Sequence, residues 1–329
     1  MKKAVVAVAV ILFIFLSACS VSRNSIGVKK SEYLMGTFVS VTVYDFGKAD
    51  ESVIDECFSF LSYYEHIFSY NDSQSELSYV NSNALYEPVS VSEPLYDLIS
   101  ASMEYCYKTE GAFDIGLGKV IEIWNDSTEK GIPPEKENVL PFEGFSGYEH
   151  IILDDENRSV YFTDDRTAIH LGACAKGYLE DLALDFLIDN GVNSLLLDFG
   201  GSILAYDKEN YREFTVGITD PLNVSELAGV INVLNSAVVT SGDYYRFFEH
   251  DGIRYHHIID SATAMPALKD IHGVTVICDS AFAGDCLSTA SFVMGSDDAV
   301  ALLEAEKCGY IIITDESVLK NGVIIENEY

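Results

Sequence analysis

The sequence predicts an α+β fold in which mainly antiparallel sheets are flanked by helices, and three observations carry that expectation. Apolar residues follow the helical period in some segments and alternate with a period of two in others. The strand-like runs come in clusters joined by short turns, rather than alternating one for one with helices as a parallel sheet requires. No internal repeat, heptad pattern or low-complexity tract offers an elongated alternative. With 329 residues, 48% of them apolar and 12% aromatic, the chain can bury a sizeable core. No linker divides residues 31–329, so one compact domain is expected there.

The first element is a strand, "GTFVSVTVYD" (36–45), which alternates as a half-buried strand should. From Ser52 to Phe68, Val53, Ile54, Cys57, Phe58, Leu61 and Phe68 repeat at the helical period. "SYNDSQSELSYVNSN" follows and reads as a polar loop. Ser92-Glu93-Pro94 opens a second helix in capping order, with Gly111 just past its end. "GYLEDLALDFLIDNG" (177–191) is a third helix, stopped by Gly191. Short β runs come next: "SLLLDF", "SILAY", "FTVGI", "GVINVLN", "YHHIID" and "GVTVIC". A helix over "AFAGDCLSTASFVMG" ends at Gly295, another covers 297–307, and "GYIIITD" and "NGVII" close the chain as strands.

The N-terminus stands apart. Lys2 and Lys3 precede an apolar run from Ala4 to Leu16, too short to cross a bilayer as a helix but suited to a signal-peptide core. Leu16-Ser17-Ala18-Cys19 looks like a bacterial lipobox. The expectation is a signal peptide over 1–18, a lipidated Cys19, a polar tether over 19–30 and a domain over 31–329. The protein is then an exported lipoprotein, anchored to a membrane and facing the periplasm or the cell exterior. The other six cysteines form no CxxC pair, which disfavours a zinc or thioredoxin-like centre, and they read as buried thiols.

A formal charge of −32 argues against a nucleic-acid partner, because a phosphate backbone needs a basic face. It leaves room for a phosphorylated small molecule held by a few local cations or a metal. The sequence lacks GxGxxG after a strand, GxxxxGK[ST], HExxH and GxSxG, so the common nucleotide-loop, zinc-protease and hydrolase readings fail.

Four clusters remain. In "HLGACAKGYLED" (170–181), small residues run into a helix start that offers free N–H groups to an anion, and Lys176 adds a cation. Its plainer reading is a tight turn. "AGDCLSTA" sets Asp285 and Thr289 four apart on one helix face, where a carboxylate and a hydroxyl suit a hard cation such as Mg²⁺. The same pair equally serves helix capping. "EGAFDIGLGKVIEIW" places Asp114 among glycines, as a cup for an aromatic ring or as a core-lining turn. In "RYHHIID", His256 and His257 are adjacent on a strand and point to opposite faces, so only one of them can serve a given site.

Taken in order, "YLMGTFVSVTVYD", "SYNDSQSELSYVN", "GAFDIGLGKVIEIW", "LGACAKGYLED", "LLLDFGGSI", "VGITDP", "TSGDYYRFF", "RYHHIID" and "AGDCLSTASFVMG" resemble the FAD:protein FMN transferases, the ApbE family. The resemblance spans nearly all of residues 33–295. It implies an ApbE-like (T-fold-like) domain and a Mg²⁺-dependent enzyme. Such an enzyme cleaves FAD, attaches FMN through a phosphoester to a Ser or Thr of a target flavoprotein, and releases AMP. Matching positions give the Ala173 carbonyl, Asp285 and Thr289 as metal ligands. FAD is placed against Met35, Tyr70, Ala112, Phe113, Asp114, Lys176 and Ile258. His257, just before the isoleucine, becomes the group that takes the acceptor's proton. Two departures stand out: Asp260-Ser261-Ala262-Thr263-Ala264-Met265-Pro266 replaces the family's D-P-x-T-G-x-P, and His170 sits where an acid is common. The alternatives are an FAD pyrophosphatase yielding FMN and AMP, and a non-catalytic flavin-binding lipoprotein.

Overall fold

The computed structural model describes residues 27–323. The signal peptide, Cys19, most of the tether and the end of the last expected strand lie outside the described residues.

In chain order, β1 (Val28–Leu34) and β2 (Thr37–Asp45) form a hairpin. Helices α1 (Ser52–Phe68) and α2 (Glu76–Asn83), strand β3 (Val89–Ser90) and helices α3 (Glu93–Lys108), α4 (Gly118–Lys130) and α5 (Lys136–Val139) follow. Strands β4 (Ile151–Asp154) and β5 (Ser159–Phe162) precede α6 (Ala175–Asp189). Then come β6 (Ser194–Phe199), β7 (Ser202–Asp207), β8 (Phe214–Thr219), β9 (Leu227–Val233), β10 (Ser236–Gly242), β11 (Phe247–His250) and β12 (Ile253–His256). The remainder is β13 (Ile259–Asp260), β14 (Met265–Pro266), β15 (Ile271–Cys278), α7 (Ala281–Met294), α8 (Ser296–Ala305), β16 (Gly309–Thr314) and β17 (Val318–Asn321).

Eight strands make one sheet in the order β1-β2-β6-β7-β10-β15-β16-β17, every neighbour antiparallel. The α+β expectation with antiparallel sheets therefore holds. Alternate residues of the central strands face the helices: Val39, Val41 and Val43 of β2 and Leu195, Leu197 and Phe199 of β6 are fully enclosed. Against them pack Ile54, Phe58 and Leu61 of α1 and Leu179, Ala183 and Leu187 of α6 in one core. The opposite sheet face is covered by the β8–β9 hairpin through Phe214, Val216, Ile218, Ile231 and Val233. A satellite core around Trp124 ties α4 to the segment running from β11 to β14.

Three stretches differ from the sequence reading. Residues 28–30, assigned to the tether, already belong to β1, because Val28 pairs with Val43 and leans on the core. The domain therefore includes residues 28–30. The supposed polar loop contains α2, where the Ser75 hydroxyl caps the Ser78 N–H at 2.9 Å and Leu77 and Val80 are buried. The run after Asp114 becomes α4, ended by Gly131 at φ +67. All six cysteines of the described residues are free thiols; Cys57, Cys106, Cys174 and Cys286 are buried, and Cys278 and Cys308 are partly so.

Candidate active site

Two helix starts define the site, and each is tied down by a carboxylate from the other helix. The N-terminal amides of α7 are capped by its own Ser280 and by Asp181 of α6, which accepts from Ser280 Oγ at 2.6 Å, Ala281 N at 2.8 Å and Phe282 N at 3.1 Å. In return Asp285 of α7 accepts from the Gly177 amide of α6 at 2.7 Å. This mutual capping needs the two backbones to touch. A Cβ at Gly177 would run into the Ala281 carbonyl, so the third residue of α6 must be glycine.

The arrangement leaves oxygen atoms unused beside this joint. Because the Gly177 amide turns to Asp285, the Ala173 carbonyl just before α6 accepts no hydrogen bond among the described residues. The second carboxylate oxygen of Asp285 likewise has no protein donor there. Thr289 lies one turn along α7, its hydroxyl 3.4 Å from Ser241 Oγ. Burial raises the Asp285 pKa, and nearby Lys176 and the Gly177 amide pull it back down. A carboxylate, a carbonyl and a hydroxyl are the donor set of a hard cation that keeps several waters, and a cation would favour the ionised Asp285 further. Among the described residues no group of three or more His, Cys, Asp or Glu side chains is placed to hold a metal, so any cation here leans on one carboxylate.

The histidine pair divides as the sequence argument requires. His256 ends β12 and is 4% exposed. Its Nε2 donates to the Ala267 carbonyl at 2.9 Å, its Nδ1 accepts from the Ile258 N–H at 3.2 Å, and its ring meets Phe292 edge-on. Both ring nitrogens are used and the tautomer is fixed, so it is a structural residue. The strand breaks at His257, which is exposed to solvent. Its pKa is lowered by desolvation first, then by Arg246, His256 and Lys176, while a backbone hydrogen bond with Tyr245 opposes them. The imidazole is neutral at pH 7 and beside Lys176.

From His257 the cluster runs outward through Arg246 to His170. Burial and Arg246 lower the pKa of His170 to about 4. The His170 ring lies 4.9 Å from that of Tyr70, whose hydroxyl donates to Glu122 Oε2 at 3.1 Å. Ile258 is buried, and Ala112 packs against the cluster of apolar residues that contains it. Phe113 is 1% exposed, leaving its main chain rather than its ring to meet a ligand. Asp114 spends one oxygen on the Gly116 amide and the other on the Gly147 amide, both at 2.7 Å. It thereby organises the loop itself, and burial lifts its pKa to about 7. Met35 stands at the β1–β2 turn at φ +51, its amide bonded to Glu65 at 2.6 Å. Lys176 thus lies near both His257 and Asp285, with Thr289 one turn from Asp285 and Ala173 just before α6; Tyr70 meets His170, and Ile258, next to His257, shares an apolar cluster with Ala112.

The 260–266 turn closes without a glycine. Ala264 takes the left-handed conformation at φ +56, with its amide on the Asp260 carbonyl at 2.8 Å and its carbonyl accepting from Trp124 Nε1 at 2.9 Å. Arg246 was not among the expected site residues, though a cation two strands' length from a histidine pair in so acidic a chain was a usable signal. Concavities of about 620 and 460 Å³ lie elsewhere, beside the β16–β17 turn and between α3 and β4. Asp220, Asp315 and Glu316 make the first unsuited to an anionic ligand.

Known proteins share this arrangement of chain. A sequence model of the ApbE family matches residues 35–312. An FAD:protein FMN transferase of Treponema pallidum (strain Nichols) is 32% identical over 291 residues, covering 83% of this chain and 80% of that protein. One of Klebsiella pneumoniae (strain 342) is 29% identical over 286 residues, covering 86% and 88%. The crystal structure of an ApbE protein from Thermotoga maritima superposes with a TM-score of 0.83 at 28% identity, covering 90% of this chain and 97% of that one.

Proposed function

The chain belongs to the ApbE family, and we propose on that premise that it is an FAD:protein FMN transferase. It cleaves the pyrophosphate of FAD, joins FMN through a phosphoester to a Ser or Thr hydroxyl of a target flavoprotein, and releases AMP. The observation that carries this reading is the convergence of Lys176, a solvent-facing neutral His257 and the half-satisfied carboxylate of Asp285 at the joined ends of α6 and α7.

Each residue then has a task. Lys176 lies against the pyrophosphate, where a fixed cation offsets charge at little reorganisation cost. His257 accepts the proton of the acceptor hydroxyl, a role for which a neutral imidazole reached by solvent is suited. Ala173, through its carbonyl, with Asp285 and Thr289 would hold Mg²⁺, which supplies further charge neutralisation at the phosphates. Met35, Tyr70, the Ala112–Asp114 turn and Ile258 frame the flavin nucleotide. Export and a lipid anchor at Cys19 belong to the same proposal; the basic start, short apolar run and lipobox support them.

The two histidines provide the test. With FAD, Mg²⁺ and a flavin-acceptor domain, His257→Ala should lower AMP release by 10²–10⁴-fold, the usual range for a lost general base. His256→Ala should act mainly through a lower melting temperature. Full activity in His257→Ala would remove it from the chemistry.

A further inference from the structure

Among the described residues, Arg158, Arg166, Arg212 and Arg254 each lean on a carboxylate or an aromatic ring. Arg246 makes no hydrogen bond or ion pair with the protein there, although the chain holds 52 acidic residues against 20 basic ones. It is exposed, yet its backbone is firmly placed. The loop from β10 to β11 is anchored by Asp243, which accepts from His272 Nδ1 at 2.8 Å and faces Arg254 at 3.7 Å. Next along the chain, Tyr244 is buried against Tyr245, ring to ring at 4.4 Å. Arg246 itself sits at φ +49, a region that non-glycine residues enter at a cost and that recurs at functional sites.

Register says where this loop delivers the side chain. Phe247 pairs with His256 as the last rung of the β11–β12 hairpin, so Arg246 and His257 are the residues that flank that rung on the two segments. An unpartnered guanidinium and the exposed imidazole are therefore neighbours, with Lys176 close to that imidazole.

We propose that Arg246 is a catalytic residue that binds a non-bridging oxygen of the FMN-side phosphate of FAD and stabilises the charge growing there during transfer. The proposal rests on the transferase reading. In the step it serves, the acceptor hydroxyl oxygen forms a bond to the FMN phosphorus and its proton passes to His257. The bond from that phosphorus to the bridging oxygen breaks, and the electron pair leaves with AMP. A planar guanidinium can span two phosphate oxygens, which the point charge of a lysine cannot.

The experiment compares wild type, Arg246→Ala, Arg246→Lys and Arg246→Gln. Removing one preorganised donor to a developing charge costs about 10²–10³-fold in rate, and that drop in AMP release is expected for the alanine and glutamine variants. The lysine variant should recover only part, and free guanidinium should partly rescue the alanine variant. The acid limb of the pH–rate profile should also move toward the ordinary histidine value, since a cation beside His257 is gone. In EDTA, ADP should bind the alanine variant at least tenfold more weakly, and riboflavin, which has no phosphate, equally well. Rates within threefold of wild type, or an unchanged ADP affinity, would overturn the proposal. A wild type that cleaves no FAD would instead overturn the transferase reading, and the ADP comparison would still decide whether Arg246 holds a diphosphate.

Discussion

Glu180 shows what a single side chain can contribute unseen. It is fully enclosed between α6 and β7, with Ser202 Oγ donating to Oε2 at 2.6 Å and Oε1 without a partner among the described residues. Burial raises its pKa well above the ordinary value, and the carboxylates of Asp285, Asp181 and Asp198 add to the effect. A carboxyl raised in the folded state binds a proton there that the unfolded chain has released. This group's contribution is therefore complete below about pH 4.5 and is lost as pH rises above it. Glu180→Gln keeps an acceptor for Ser202 and needs no proton. Its melting temperature should exceed that of wild type by a margin that widens from pH 5 to pH 8, whereas parallel curves would show that Glu180 is not held protonated. Nothing in "GYLED" announced this, because the period of α6 says which residues turn inward and not which polar neighbours wait there. Residue-level legibility was best where chemistry dictates direction: adjacent strand positions oppose each other, so one of His256 and His257 had to be the structural member. It was poorest where partners are remote, as with Asp181 capping a helix a hundred residues away.

At the level of elements, the site depends on how closely α6 approaches α7. Gly177 allows the contact, Asp285 and Asp181 lock it, and the metal-ligand candidates sit on either side of it. Gly177→Ala would push its methyl into the Ala281 backbone, an overpacking that costs about 1–3 kcal/mol. Displacing the two helices by about 1 Å should also lower transfer activity about 10²-fold, since reacting groups tolerate little misplacement. A Gly177→Ala protein with wild-type melting temperature and activity would show that the joint is slack. The elements themselves were legible when their apolar faces were long, as in α1 and the central strands. Helix α2 was missed because only Leu77 and Val80 mark its buried face amid serines and asparagines, and α4 because glycines precede it. Strand β1 was missed because an edge strand with one half-covered face carries little alternation.

Over the whole molecule, charge and architecture work in opposite directions. A chain carrying −32 repels anions at long range, while the start of α6 and the residue preceding β11 bring Lys176 and Arg246 near the same histidine, His257. On the proposed reading, an anionic nucleotide binds where these local cations outweigh the general field. The antiparallel character of the sheet was readable from clustered strands, but neither its strand order nor its covering hairpin, β8–β9, was, because packing on the far face of β7, β10 and β16 leaves no local signal. The measurement that tests the account most directly is the intact mass of a flavin-acceptor domain incubated with this protein, FAD and Mg²⁺, with AMP quantified alongside. The account predicts an acceptor heavier by one FMN with equal AMP, and neither product in EDTA or with Asp285→Ala. FMN and AMP set free while the acceptor mass stays unchanged, across acceptors bearing the target serine or threonine, would contradict it and mark the protein as a pyrophosphatase.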